Sequence, residues 1–319
     1  MIVDLPDTTT SQVSKALVKI REEGGVVALG RVLTLIIATQ AGREEEAIEA
    51  ANDASREHPM RVIVVASEPG ADGAGVAPRL DAEIRVGGDA GASEVIVLRA
   101  FGEVASDEES LVMALLLPDA PVVTWWPGKA PEIPALAPLG RIAHRRITDA
   151  SAQPDPQAAL AALERSYRPG DADFAWTRLT LWRAQLAAVL DQPPYESVTR
   201  VHVSGAVDSP STTLLAAWLK LQLQAETSCS LAGAESGLHG IHGVELERAS
   251  GGIELIRDVP GVATLRQPGQ PVHDLALPRR SLRDCLADEL RRLDPDELYG
   301  EVITVGLPLL ADGTEGGRG

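Results

Sequence analysis

The sequence is poor in aromatic residues and in cysteine. Its 319 residues include two Phe, three Tyr and five Trp, and the only cysteines are Cys229 and Cys285. Two cysteines that lie far apart in unlike surroundings fit neither a disulfide framework nor a set of zinc ligands. We therefore expect both to be ordinary small apolar residues in a reducing compartment, and a redox role for either stays an open alternative.

Basic residues are also scarce relative to acidic ones. The chain carries 29 Lys and Arg against 46 Asp and Glu, which gives a formal net charge of −17. Such a charge repels phosphate backbones and anionic membrane surfaces, so nucleic acid and membranes are unfavourable partners. A third interpretation is a scaffold whose acidic surface recruits basic proteins, and its binding should weaken as salt is added.

Long hydrophobic runs are missing. The most apolar windows, residues 26–38 and 111–117, are interrupted or too short to cross a bilayer. The opening letters MIVDLPDTTT contain no basic region followed by an apolar stretch, so they do not resemble a secretory signal. These features predict a cytoplasmic protein.

Known catalytic and nucleotide-binding signatures are absent as well. Neither GxGxxG, GxxxxGK[ST] nor GxSxG occurs, and His239 and His242 lack the spacing of a helical metal-binding pair. Gly102 and Gly205 each precede a predicted helix, where a glycine serves either a tight turn or a phosphate-binding loop. We expect no catalytic residues, no cofactor and no metal site.

Alternating strand and helix patterns predict an α/β fold with two mixed α/β domains. A chain of this length exceeds one usual core, and the polar stretch DASAQPDPQ has the composition of a domain boundary. The predicted domains are 1–150 and 151–305, followed by a flexible tail at 306–319. The predicted strands are 26–38, 61–66, 82–86, 95–99, 121–125, 141–147, 198–203, 244–248, 253–257 and 262–265. The first predicted helix starts near Thr8, and the others are 42–57, 107–117, 156–165, 174–190, 210–224 and 281–293.

Two short segments resemble each other. GEVAS at 102–106 leads to SLVMA at 110–114, and GAVDS at 205–209 leads to TLLAA at 213–217 at the same spacing. Each follows a predicted strand and precedes a predicted helix. The similarity predicts two pseudo-symmetric halves that share a strand-turn-helix unit, unless the match is coincidental.

The stretch DFAWTRLTLWR at 173–183 concentrates three of the few aromatic rings. At a helical step of about 100° per residue, Trp182 falls on the apolar stripe with Leu186 and Val189, so we expect it in the core. Phe174, Trp176, Arg178 and Arg183 flank that stripe. They either pack within the protein or contact a partner, since Trp and Arg are enriched at interfaces.

The strand-like segment PVVTWWPG places two rings side by side. Adjacent strand residues point to opposite faces, so one of Trp125 and Trp126 fills the core while the other packs elsewhere in the protein or meets a partner. The candidate partner-interface residues are Trp125, Trp126, Phe174, Trp176, Arg178 and Arg183.

Several of these strings together carry a family resemblance. DFAWTRLTLWR, PVVTWWPG, the opening MIVDLPDTTTSQVSKALVKIREEGG followed by GRVLTLII, and the late LADELRRLDPDELYGEVI are spread across nearly the whole chain. Because it contains these strings in this order, the sequence resembles the actinobacterial form of the glucose-6-phosphate dehydrogenase assembly protein family, which is called OpcA.

The resemblance implies a function without chemistry of its own. A member of this family would bind oligomeric glucose-6-phosphate dehydrogenase, an enzyme of the pentose phosphate pathway, and act as an allosteric activator that favours its active form. The alternative is an α/β enzyme or sensor that binds a sugar phosphate or nucleotide near Gly102 or Gly205, because open α/β sheets bind ligands at the carboxyl ends of their strands.

Overall fold

The computed structural model describes residues 1–24, 31–68, 77–87, 94–237 and 239–315. They divide into two compact units, each containing one sheet. The first unit comprises Met1–Thr148, Gly170–Ala172 and Leu282–Pro295, and the second comprises the remaining segments. Over these ranges, no helix has the length and apolar composition needed to span a bilayer. The predicted α/β class is confirmed, with a mixed sheet in each grouping.

The first sheet has eight strands in the order β1-β4-β5-β3-β2-β6-β7-β8. The neighbouring strands β5, β3, β2, β6 and β7 are parallel. On one side of them β4 pairs antiparallel with β5, and β1 pairs antiparallel with β4. Leu33 to Ala38 are all buried, as the β-branched composition of this segment predicts for a strand covered on both faces. The strands are β1 Ile2–Leu5, β2 Leu33–Gln40, β3 Met60–Glu68, β4 Arg79–Val86, β5 Glu94–Phe101, β6 Val122–Trp125, β7 Arg145–Thr148 and β8 Asp171–Asp173.

The second sheet has six strands in the order β10-β9-β11-β12-β13-β14, and only β9 and β10 run parallel. Alternate residues such as Val201 and Val203 face the core. Their neighbours on the opposite face, including Arg200 and Glu245, are polar and more exposed. The strands are β9 Arg200–Ala206, β10 Glu226–Ala232, β11 Ile241–Glu247, β12 Ile253–Val259, β13 Val262–Arg266 and β14 His273–Ala276.

The helices follow the predicted positions where the apolar period was clear. The first helix ends at Gly24, and its Val13 and Leu17 are buried. The predicted single helix at 174–190 is instead two consecutive helices. The helices are α1 Thr10–Gly24, α2 Glu45–Ala54, α3 Glu108–Met113, α4 Pro138–Arg141, α5 Pro156–Ser166, α6 Phe174–Thr177, α7 Thr180–Leu190, α8 Pro210–Leu223, α9 Leu282–Arg291, α10 Glu297–Glu301 and α11 Leu307–Glu315.

Two segments differ from the domain boundaries expected from the sequence. Helix α9 was assigned to the second domain but belongs to the first unit, where Arg145 Nε donates to Glu289 at 2.8 Å and both side chains are buried. The expected flexible tail begins with helix α11, because Leu307 and Leu310 are apolar enough to pack into the core of the second unit. Residues 316–319 lie outside the described ranges, as do residues 26–30 of the first predicted strand.

The pseudo-symmetric halves are not found. Gly102 follows β5 with a φ of +59° and opens a turn, whereas Gly205 lies inside β9 and pairs with Leu231. The helix after β9 leads to its parallel neighbour β10, but β5 and β6 are not neighbours in the first sheet. The two glycines therefore do not occupy equivalent turns, and the similarity of letters is coincidental.

Candidate functional site

The two adjacent tryptophans lie in the first unit and are both buried. Trp125 is 0 % exposed at the end of β6, and Trp126 is 5 % exposed and packs into a hydrophobic cluster of that unit. The backbone N–H of Trp126 donates to the carbonyl of Ile147 at 2.9 Å, which holds the residue beside β7. Neither ring presents a large surface on the isolated chain.

The aromatic stretch at 173–183 lies in the second unit. Buried Asp173 starts α6, because one of its carboxylate oxygens accepts the N–H of Ala175 at 2.8 Å and the other accepts that of Ala150 at 2.9 Å. This N-cap fixes the direction of the short helix. Trp182 is 3 % exposed within the main hydrophobic cluster, so its predicted core position is confirmed.

Trp176 is the centre of a dense set of contacts. Its indole N–H donates to Asp296 at 2.8 Å, and the guanidinium carbon of Arg183 lies 3.8 Å from its ring centroid. The ring of Tyr299 is 5.8 Å away, and Tyr299 in turn meets Tyr167 edge to face at the same distance. Such cation–π and ring contacts stabilise a fold beyond the area that they bury.

Arg178 and Phe174 form the neighbouring part of this cluster. Arg178 makes two hydrogen bonds of 2.8 and 2.7 Å to Asp149, and its guanidinium carbon lies 5.9 Å from the Phe174 ring. Phe174 is 0 % exposed. The two parallel hydrogen bonds to Asp149 fix the orientation of the Arg178 guanidinium. The pair of Arg178 and Asp149 thereby joins the end of α6 to the segment at 149–151.

The six candidate interface residues are therefore divided between the units. Phe174, Trp176, Arg178 and Arg183 are neighbours in the second unit, whereas Trp125 and Trp126 lie in the first. All four rings are buried, so they pack within the protein, which is one of the two alternatives that the sequence left open. Contact with a partner stays a prediction. Of these six residues, Arg183 is partly exposed and the side chain of Arg178 is 11 % exposed, so these two keep some surface for a partner.

One polar pocket lies beside the segment that follows Gly205, where the sequence left a phosphate-binding loop open as an alternative. It lies at the start of α8 in the second unit and encloses about 420 Å³ of empty space, part of it open to solvent. Four arginine side chains line it: Arg178, Arg257, Arg279 and Arg280. They come from the end of α6, β12 and the segment after β14, so the only local signal of these arginines in the sequence was the adjacent pair Arg279-Arg280.

The glycines singled out in the sequence have structural roles. A Cβ atom added at Gly205 would lie 2.3 Å from the Thr212 hydroxyl oxygen and 2.7 Å from the Gly240 carbonyl oxygen, so this glycine permits close packing of β9 against α8. His239 contacts Asp208 at 3.0 Å on the exposed surface. In the described part of the chain, no group of three His, Cys, Asp or Glu residues is arranged to hold a metal ion.

Cys229 sits on β10 in an environment that disfavours its thiolate. Burial raises the pKa of this thiol to about 11, and its hydrogen bond with Thr213 offsets only part of that effect. Since the thiolate is the reactive form, the native thiol should be inert near neutral pH. Cys285 is fully buried on α9.

We expect iodoacetamide to alkylate native Cys229 at least about 100-fold more slowly at pH 7 than the urea-unfolded chain, whose thiol has a pKa of about 8.5. Mass spectrometry of the Cys229 peptide measures both rates. Because the folded pKa is raised, the associated stabilisation is complete below about pH 8.5 and is lost as the pH rises towards 11. Rapid labelling of the folded chain at pH 7 would instead show a reactive thiol.

Several solved structures are similar to this chain at low identity. They include KijD10, a 3-ketoreductase from Actinomadura kijaniata, at 9% identity over 88% of this chain and 96% of that one, with a TM-score of 0.44. A dehydrogenase from Chromobacterium violaceum has 11% identity, coverages of 89% and 94%, and a TM-score of 0.46. Glucose-6-phosphate 1-dehydrogenase from Mycobacterium avium has 10% identity, coverages of 88% and 92%, and a TM-score of 0.41. Similarity at this level assigns no activity to this chain.

Two family descriptions match consecutive parts of the sequence. Residues 51–165 match the N-terminal domain of the glucose-6-phosphate dehydrogenase subunit in the OpcA family, and residues 169–303 match the C-terminal domain of the same subunit. No curated protein gives a significant match. The two matched segments are in the family's order and together cover most of the chain. The chain therefore belongs to the OpcA family of glucose-6-phosphate dehydrogenase assembly proteins.

Proposed function

We propose that this chain binds glucose-6-phosphate dehydrogenase and favours its active form, while it catalyses no reaction itself. The observation that carries the proposal is the match of both family domains, whose descriptions each name a glucose-6-phosphate dehydrogenase subunit. On this proposal the chain acts in the cytoplasm, beside the dehydrogenase and the pentose phosphate pathway that it feeds.

Activation by binding alone requires a difference in affinity. The chain must bind the active conformer of the dehydrogenase more tightly than the inactive one, because a ligand with equal affinity for both shifts no equilibrium. The shift is also mutual, since a partner that raises the affinity for substrate must itself bind more tightly when substrate is present. No reacting group from this chain is needed.

The surface that we propose for the contact includes Arg178 and Arg183. Each guanidinium is held against a buried ring, Phe174 or Trp176, so little side-chain freedom is left to lose on binding. Oriented arginines supported from behind are typical of interface hot spots. The rings then support the interface from the core without touching the partner.

The kinetic test is a titration of purified dehydrogenase with the intact chain. We expect a saturable fall in the KM for glucose 6-phosphate, and no turnover of glucose 6-phosphate by the chain alone. A heat-unfolded sample of the same chain serves as the control. Unchanged kinetics at chain concentrations well above that of the enzyme would refute the proposal.

A further inference from the structure

The arginine-lined pocket at the start of α8 holds more positive charge than the surrounding protein neutralises. Arg178 is paired with Asp149, and Arg280 donates to the Thr177 carbonyl and the Thr180 hydroxyl, each at 3.0 Å. Arg257 and Arg279, by contrast, form no ion pair with any of the described residues. Two uncompensated guanidinium groups at one place are unexpected in a chain whose net charge is −17.

Arg257 is held in position although its charge is not neutralised. Its Nη2 atom donates to the Ile241 carbonyl at 2.6 Å, and its guanidinium carbon lies 5.6 Å from the Trp182 ring centroid. Burial and the nearby charge of Arg279 lower the pKa of Arg257. A bound anion would stabilise the charged form of Arg257 against both effects, because it would supply the missing opposite charge.

The only carboxylate among the described residues that line the pocket is that of Asp208, and it is engaged at the pocket rim. One of its oxygens contacts His239 at 3.0 Å, and the other accepts the Gly240 N–H at 3.4 Å. It is about half exposed. Solvent screens a carboxylate in that position, so it does not neutralise both arginines.

The beginning of α8 adds hydrogen-bond donors on the same side. Ser209 is the N-cap residue, but its hydroxyl makes no capping bond to the helix. This residue is only 6 % exposed, lines the pocket, and has no side-chain hydrogen bond to any residue that the structure describes. Its hydroxyl is therefore available to a ligand in the pocket, and the positive end of a 14-residue helix attracts anions.

We propose that this pocket binds a phosphoryl anion, with Arg257 and Arg279 donating to its oxygens and the Ser209 hydroxyl donating from the start of α8. Planar guanidinium forks match the geometry of phosphate oxygens, and helix N-termini bind phosphate groups for the same electrostatic reason. The pocket is partly open to solvent, which gives a small anion access to these donors. Arg178 lines this pocket and also belongs to the proposed dehydrogenase contact, but the phosphoryl anion needs only residues of this chain and binds without the dehydrogenase.

The test is isothermal titration of the intact chain, without the dehydrogenase, at constant ionic strength. Inorganic phosphate and glucose 6-phosphate are the two probes, so their comparison separates recognition of the phosphoryl group from recognition of the sugar. We expect saturable binding of both. Arg279→Gln should weaken each about tenfold, because it removes one charge-assisted contact from an exposed position that does not support the fold.

Arg266→Gln is the matched control, since it removes the same charge from an exposed strand position of the same unit, away from the pocket. It should change the affinity by less than about twofold. Ser209→Ala should weaken binding without lowering the melting temperature, because the lost hydroxyl does not cap α8. Absence of saturable binding by both probes, or an equal loss in Arg266→Gln and Arg279→Gln, would overturn the proposal.

Discussion

Replacement of Trp176 by alanine is expected to lower the free energy of unfolding by about 3–5 kcal/mol, the usual cost of removing a large ring from a core. The ring is 2 % exposed, and its loss removes the contacts with Tyr299 and Arg183 together with the hydrogen bond to Asp296. Urea denaturation followed by circular dichroism measures the change. A drop of this size would establish Trp176 as a structural residue.

Two matched variants separate stability from partner binding at the same place. Trp176→Phe keeps most of the apolar contact but loses the indole N–H, so it should cost only about 1–2 kcal/mol. Arg183→Ala removes the stacked guanidinium and should leave the fold stable within about 2 kcal/mol, while it weakens binding to the dehydrogenase. If Trp176→Ala folds normally but no longer binds the dehydrogenase, the ring is a contact residue and the packing account is wrong.

Replacement of Glu94 by glutamine is expected to destabilise the first unit by about 3–5 kcal/mol, because it leaves buried positive charge without its partner. Glu94 is 1 % exposed and accepts hydrogen bonds from Arg21 at 2.7 Å and from Arg61 at 2.8 Å, with Arg31 at 3.6 Å. Arg61 is itself 5 % exposed. Thermal and urea unfolding of the variant measure the loss.

Glu57→Gln provides the comparison for Glu94→Gln. Glu57 pairs with Arg291 at 3.3 Å in the same unit, but both side chains are more than half exposed. Solvent-exposed pairs contribute little, so this change should cost less than about 1 kcal/mol. Similar losses in the two variants would mean that burial does not determine the strength of the Glu94 interactions.

Local periodicity predicted the parts of the structure in which local spacing decides burial. The positions of Trp182 in the core and of Val13 on α1 follow from the helical repeat alone. The buried position of Trp176 does not follow from that repeat, because a break near Arg178 separates α6 from α7. Its ring partner Tyr299 also lies far along the chain, where local spacing gives no signal. Strand β10 was missed because its outward residues are polar, which weakens the apolar signal of a strand.

The candidate site shows the same limit of sequence reasoning. The stretch at 173–183 could be identified from its unusual concentration of rings, but the letters could not show whether those rings face solvent. The pocket residues Ser209, Arg257 and Arg279 come from three separate segments. The glycine before α8 marked the segment of Ser209 as a possible phosphate-binding loop, but only the fold brings Arg257 and Arg279 to it.

The most direct test of the proposed function is the affinity of the intact chain for the dehydrogenase, measured by isothermal titration with and without glucose 6-phosphate. Linkage predicts that the sugar phosphate lowers the dissociation constant of the complex, by a factor of about 5–150 if the coupling is of typical size. The chain must lower the dissociation constant of glucose 6-phosphate from the enzyme by the same factor. Failure to form a complex, or one dissociation constant under both conditions, would contradict activation by preferential binding.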